Sequence, residues 1–288
     1  MITTILSGLA LGSVYTLVAV GFNLTWLTTK AVNFAQGGFM VAGMFLTVYC
    51  YHQGIPVALT FLLLALVGSL VAVVEYLVAV RPVMIRGEHS ELVTTVGALT
   101  VIEGVILLLV TEEAERVPFF ATDTPVVSFL GGRVAPSDLV LIVLAIVIAL
   151  SVHLWTTRTR TGLAAMALAE DREAATLVGV NTRWFSLLSF AASGVLGFAI
   201  APIVGPKTFA IVTLAAVLSI KGFVVLAVGG VGSNLGALIG GIGVGTIELL
   251  VARFLSADLQ NLSVFVVFIT VMLLRPRGLF GQQSERYV

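Results

Sequence analysis

Charge is scarce in this sequence. Of its 288 residues only 10% are Asp, Glu, Lys or Arg, while 59% are hydrophobic and the mean hydropathy is +1.12. A soluble globular domain carries about 25% charged residues, so that class is excluded and an integral membrane protein is left. Cysteine is nearly absent: Cys50 stands alone, which rules out an internal disulfide framework. Histidine is equally thin. His52, His89 and His153 are scattered over different loops and helix ends, so no metal site is expected. No Gly-x-x-x-x-Gly-Lys-Ser/Thr loop occurs, and no Ser/His/Asp or Cys/His constellation, so no catalytic residue is assigned. If ATP drives this protein, another chain binds it. The fifteen basic residues balance fifteen acidic ones, and no basic cluster is large enough for nucleic acid. The start, Met-Ile-Thr-Thr-Ile-Leu, lacks a basic n-region and reads as a retained first span.

What is abundant is long apolar sequence. The runs are continuous, not alternating, so they read as helices and not as barrel strands. At about twenty residues per span, helices are expected near 5–27, 34–51, 56–80, 92–111, 137–156, 186–204, 209–229, 234–254 and 260–275. This is an all-α polytopic bundle of about eight or nine spans, forming a single domain over residues 1–288. Two stretches are interrupted by glycine and polar residues, Asn33 to Gly43 and Gly229 to Gly245. Each is readable as a broken or re-entrant helix, tolerated where protein or a watery cavity covers the backbone.

The one long polar interruption runs from Thr157 to Phe185. Ala, Leu, Met and Glu favour helix there; Thr161 is a candidate cap, and Gly179 falls where a helix stops. A single short helix is expected over 162–178, with Asn181 or Thr182 capping the next span. Its centre, Ala169, Glu170, Asp171 and Arg172, joins small side chains to charges, as a docking knob requires. The alternative is a solvated connector. Arg81 and Arg86, then Arg158, Arg160, Arg172 and Arg183, then Arg275, Arg277 and Arg286 belong on the cytoplasmic side, and the span count between them has consistent parity. The loop over 112–136, with Glu112, Glu113, Glu115 and Asp123 against Arg116 and Arg133, then faces outward.

Charges inside spans are costly and need a partner, a cavity or a function. Glu75 lies near a cytoplasmic end, as a snorkelling or paired residue. Glu103 and Glu248 sit mid-span, and Lys221 lies within 209–229, so Lys221 pairs with one of these two acids or all three line a permeation path. The amides Asn23, Asn33 and Gln36 either hydrogen-bond across helices or face that path. Gly232, Gly236 and Gly240 are spaced by four, as are Gly241 and Gly245, a pattern that seats helices closely. With Ser233, the first group also fits a turn between half-helices.

Several stretches together resemble one family. Gly12-Ser13-Val14-Tyr15 through Asn23, then Val32-Asn33-Phe34-Ala35-Gln36-Gly37, is similar to the amino-terminal signature of permeases of branched-chain amino acid ABC transporters, the LivH type. Glu75 with Arg81-Pro82, Arg160-Thr161-Gly162 with Ala169-Glu170-Asp171, and Leu177-Val178-Gly179-Val180-Asn181-Thr182 fit the same pattern. So do Lys221-Gly222-Phe223, Gly229-Gly230-Val231-Gly232-Ser233 with Gly236-Ala237, and Leu274 through Gly281. Such permeases often have histidine where Gln36 stands. The resemblance implies a multi-pass subunit of the bacterial inner membrane that pairs with a second, LivM-like permease. It also implies two cytoplasmic ATPases of the LivG/LivF type, which hold the ATP, and an external solute-binding protein that delivers the solute. The polar helix, from Ala169 to Arg172 with Gly179 at its end, becomes the coupling helix. Asn23, Asn33, Gln36, Lys221, Ser233 and Glu248 become candidates for the translocation path. A permease for urea, short amides, or a sugar or nucleoside shares that architecture, and an ion-coupled secondary transporter is the rival class.

Overall fold

The computed structural model describes residues 1–86, 90–110, 113–118, 127–129 and 132–281. Helix dominates. In chain order these are α1 (Ile2–Thr29), α2 (Gln36–His52), α3 (Val57–Glu75), a π-helical turn (Tyr76–Val80), α4 (Arg81–Arg86) and α5 (Glu91–Leu109). A small antiparallel hairpin, β1 (Val127–Phe129) and β2 (Gly132–Val134), precedes α6 (Pro136–Arg158). There follow α7 (Arg160–Glu170), α8 (Arg172–Leu177), α9 (Thr182–Thr208), α10 (Leu214–Gly229), α11 (Asn234–Phe254) and α12 (Leu259–Leu274). Among the described residues, six helical stretches are long and apolar enough to cross a membrane; α10 and α12 are shorter apolar helices. The expected external loop over 112–136 falls partly outside the described residues, as do Glu112, Asp123 and Arg286.

α1 is the mast of the bundle. From Gly12 to Thr25 every residue is buried, and α2, α6, α9, α10 and α11 all pack on it. An ordinary lipid-facing helix would keep one apolar face outward, so burial all round marks α1 as a core helix. α3, α5 and α12 bury only narrow stripes, such as Thr60, Leu64, Gly68 and Ala72 of α3, and turn Leu62, Leu66 and Leu70 outward.

The two ends differ chemically. Lys30, Arg81, Arg172 and Arg183 surround one cavity at the first end, and the tail pins back there through Leu279 N–H to the Val228 carbonyl at 2.8 Å. At the second end Lys207 meets Asp138 at 2.8 Å, and Glu115 pairs with Ala210 in an isolated antiparallel bridge. α1 therefore runs from the second end to the arginine-rich one, and α2 returns.

Four expectations need correction. The helix placed over 209–229 starts only at Leu214, because α9 continues through Pro202 and Pro206 to Thr208 and Phe209 leaves it at φ 60°. The segment over 162–178 is two helices. Asp171 takes extended backbone and accepts from the Ala174 N–H at 3.0 Å, so it ends α7 and caps α8. Thr159, not Thr161, caps α7 by accepting from Gly162 N–H at 3.0 Å. Gly179 does stop α8: at φ 92° it lets Val180 N–H reach back to the Ala175 carbonyl at 3.1 Å. Asn181 caps α9 through the Trp184 N–H at 3.2 Å. Finally, Gly229 to Gly245 is not a broken span. The chain turns over Gly230 to Ser233 at the arginine-rich end, and α11 then runs unbroken from Asn234.

Candidate functional site: polar pins along the central helix

The interruption between α1 and α2 has a full backbone account. The Asn33 side chain accepts from Ala35 N–H at 2.9 Å, and Gln36 N–H donates to the Asn33 carbonyl at 3.1 Å. Thr95 of α5 donates to the Val32 carbonyl at 3.2 Å, and Ser219 of α10 donates to that of Phe34 at 2.7 Å. Irregular backbone at this depth persists because side chains replace the missing helical bonds. It also aims Asn33 at Glu75, whose Oε2 accepts from Asn33 Nδ2 at 2.8 Å while Oε1 has no partner among the described residues. Glu75 is thus buried against an amide, not paired with an arginine, at the point where α3 passes into its π turn.

The other pins lie higher and lower on α1. Gln36 donates to the Ser193 carbonyl at 3.2 Å, and the Ser193 hydroxyl reaches both the Gln36 side-chain oxygen and the Gly21 carbonyl. Asn23 donates to the Asn234 side chain at 3.1 Å and accepts from Gly232 N–H at 2.8 Å, locking α1 to the α10–α11 turn. Ser233 caps α11 by accepting from Gly236 N–H at 3.0 Å.

Lys221 has one acidic partner, and it is Glu248. Nζ lies 2.6 Å from Oε1, Tyr15 donates to Oε2 at 2.9 Å, and Gln260 of α12 donates to Oε1 at 2.8 Å. Lys221 also donates to the Tyr15 oxygen at 3.2 Å, and its ammonium sits 5.4 Å from the centre of that ring. Glu248 is 0% exposed. A charge pair in such surroundings is tolerable only when its remaining lone pairs are met, and here side chains from three other helices, α1, α10 and α12, meet those of Glu248. Glu103 lies apart on α5, half-buried, with Oε1 unpartnered.

The six residues expected along a path are thus placed on four separate pins around α1. Sequence reasoning missed their partners Tyr15, Ser193, Asn234 and Gln260. No spacing links them, because the contacts lie between 12 and 233 residues apart for the Glu248 pin alone. In the polar segment the small residue Ala169 is half-buried and borders a cavity of about 580 Å³ with Trp26, His153 and Phe280. The most exposed large apolar side chains of the segment are instead Leu177 and Val178, 88% and 80% exposed, and Glu170, Asp171 and Glu173 are exposed as well.

A helix bundle with a core helix, polar pins in its apolar interior and six described helical stretches long and apolar enough to cross a membrane is the architecture of a multi-pass membrane protein. The chain belongs to the family described as branched-chain amino acid transport system / permease component, whose model matches residues 4–274. It is 25% identical to the high-affinity branched-chain amino acid transport system permease protein LivH of Escherichia coli strain K12, over 98% of this chain and 96% of that protein. Its identity to the corresponding permease protein BraD of Pseudomonas aeruginosa is 23%, covering 99% and 97%. A probable branched-chain amino acid transport permease protein LivH of Methanocaldococcus jannaschii is 25% identical, covering 92% and 88%. Among solved structures, PsaBC from Streptococcus pneumoniae in complex with Fab shares the fold, with a TM-score of 0.52 at 10% identity, over 96% of this chain and 91% of that one.

Proposed function

We propose that the chain is the permease subunit of an ATP-driven importer for branched-chain amino acids in the bacterial inner membrane. The observation that carries this is family membership over residues 4–274, joined to an exposed helical protrusion suited to receive a push from another chain. With the arginine-rich end in the cytoplasm, the positive-inside rule places Met1 outside. α1, α2, α3 with its π turn and α4, α5, α6, α9, α10, α11 and α12 then make nine crossings. A LivM-like permease alongside, two LivG/LivF-like ATPases below and an external solute-binding protein complete the assembly. ATP sits on the ATPases and no cofactor on this chain. Solute passage is assigned to the lattice around α1 that contains Asn23, Asn33, Gln36, Lys221, Ser233 and Glu248. Its pins are closed against one another in the conformation described, so passage requires α2 or α10 to shift. An ion-coupled mechanism is less well supported, since the Glu248 carboxylate is already engaged by Lys221, Tyr15 and Gln260. Uptake of labelled leucine by cells with the gene deleted and then restored tests the reading. Leucine uptake that is indifferent to the deletion, with urea or nucleoside uptake lost instead, would overturn it.

Coupling is assigned to α7 and α8, the segment of Ala169, Glu170, Asp171 and Arg172 that ends at Gly179. Its apolar tip is the better anchor, because buried apolar groups inside an acidic rim carry docking energy while rim charges steer and orient. Leu177→Asp with Val178→Asp should leave insertion and folding intact, since both side chains are exposed. Leucine uptake should fall at least tenfold, as expected when about 1.4 kcal/mol or more of docking energy is lost. Full uptake in the double variant would move the ATPase contact elsewhere.

A further inference from the structure

A second cavity at the arginine-rich end, about 510 Å³ in volume, is not used by the transport reading. It lies behind the α7–α8 protrusion, where the end of α1, the α4 turn, the start of α5 and the start of α9 converge. Lys30, Arg81, Arg172 and Arg183 border it against a single acid, Glu91. None of the four cations forms an ion pair among the described residues. Lys30 and Arg172 make only long bonds to backbone, to the Glu170 carbonyl and the Thr28 carbonyl, each at 3.4 Å. Four cations converging against one acid leave a net positive charge and repel one another, and the repulsion is relieved by a bound anion. Guanidinium forks match a phosphate in geometry as well as charge.

The rim identifies which phosphate. Arg81 follows within one turn of Leu77 and Val78, which are 37% and 72% exposed, and Glu91 is followed by the outward-facing Leu92 and Val93. Those side chains belong in hydrocarbon, so the cavity opens at the level where a bilayer changes from acyl chain to headgroup. A free anion would meet only the polar half of this surface. We infer that the cavity holds the phosphate of an anionic glycerophospholipid, with its acyl chains laid along Leu77, Val78 and Leu92. Lys30 and Arg172 reach both the cavity and the protrusion. The lipid therefore braces α7 and α8 against the end of α1, and the site stands whatever solute is carried.

Native mass spectrometry of the full-length protein in detergent, with phosphatidylglycerol or phosphatidylcholine of the same acyl chains, tests the inference. Phosphatidylglycerol should be retained at least tenfold better. Arg81→Gln with Arg183→Gln should bring retention down to the phosphatidylcholine level, and Arg81→Lys with Arg183→Lys should keep most of it. Thr182→Glu, at a half-buried residue of the cavity lining, should give the same loss without removing a charged side chain. Arg158→Gln with Arg160→Gln, outside the cavity, should change nothing. Equal retention of the two lipids, an undiminished preference in the glutamine or glutamate variants, or a preference abolished equally by the outside pair would overturn the site. Displacement of the lipid by millimolar inorganic phosphate would overturn the lipid assignment.

Discussion

Lys221→Met is expected to cost roughly 3–5 kcal/mol of stability, the penalty for stranding one member of a buried ion pair. The reason lies in what remains. Glu248, wholly enclosed, keeps the Tyr15 hydroxyl and the Gln260 amide as donors but loses the one cation 2.6 Å away. Two neutral donors do not offset an isolated carboxylate in an apolar interior. Lys221→Met with Glu248→Gln should recover much of the loss, because a neutral amide can still accept from Tyr15. Glu248→Gln alone strands the ammonium, which Tyr15 supports only through its oxygen and ring face, so it should fall between the two. The fraction of each variant that stays monodisperse in size-exclusion chromatography after graded heating ranks them. If the double variant is no better than Lys221→Met, the pair does not carry the stability assigned to it. Leucine uptake by the double variant adds a second reading: recovered folding without recovered transport would place these groups on the solute's route.

The sequence made these charges conspicuous because a lysine and three glutamates stand in apolar runs, and that signal is local. Choosing Glu248 over Glu103 was beyond it, since the choice depends on how α10 crosses α11 and α5. Span boundaries were legible wherever a cap or a glycine punctuates them, as at Gly179 and Asn181. They were lost around Pro202 and Pro206, where Gly205-Pro206-Lys207 reads as a stop after residue 204 yet the helix runs through both prolines to Thr208, and the break falls at Phe209, which is not itself a turn residue. The division of the polar segment at Asp171 was recoverable, because a helix-interior aspartate competes for backbone N–H groups and so marks a cap. The 510 Å³ cavity was not. Its four cations come from four separate segments, and only the folded chain gathers them.

The same dependence on crossing geometry makes Gly12 a position with a large expected steric effect. Gly8 and Gly12 on α1 face Gly241 and Gly245 on α11, two pairs each spaced by four, so a bare stripe meets a bare stripe and the backbones touch. A Cβ on Gly12 would collide with the Gly241 carbonyl and lie 2.8 Å from Ile242 Cα; one on Gly8 would lie 2.8 Å from Thr246 Cα. These obstacles are backbone, so no rotamer change relieves them, and the helices must separate. Separation would cost more than local packing, because the Tyr15–Glu248, Thr16–Ala237 and Asn23–Asn234 bonds all span this crossing. Gly12→Leu should therefore destabilise by roughly 3 kcal/mol or more, the upper end for overpacking, and yield little folded protein. Gly243→Leu is the matched comparison. It lies on α11 with nothing within 4 Å of an added Cβ, so leucine there should be tolerated in this chain. Yield of monodisperse protein and resistance to trypsin, measured side by side in one detergent, decide the matter. Equal behaviour of the two variants would mean that α1 and α11 are held apart by something other than their glycines, and the close crossing would have to be abandoned.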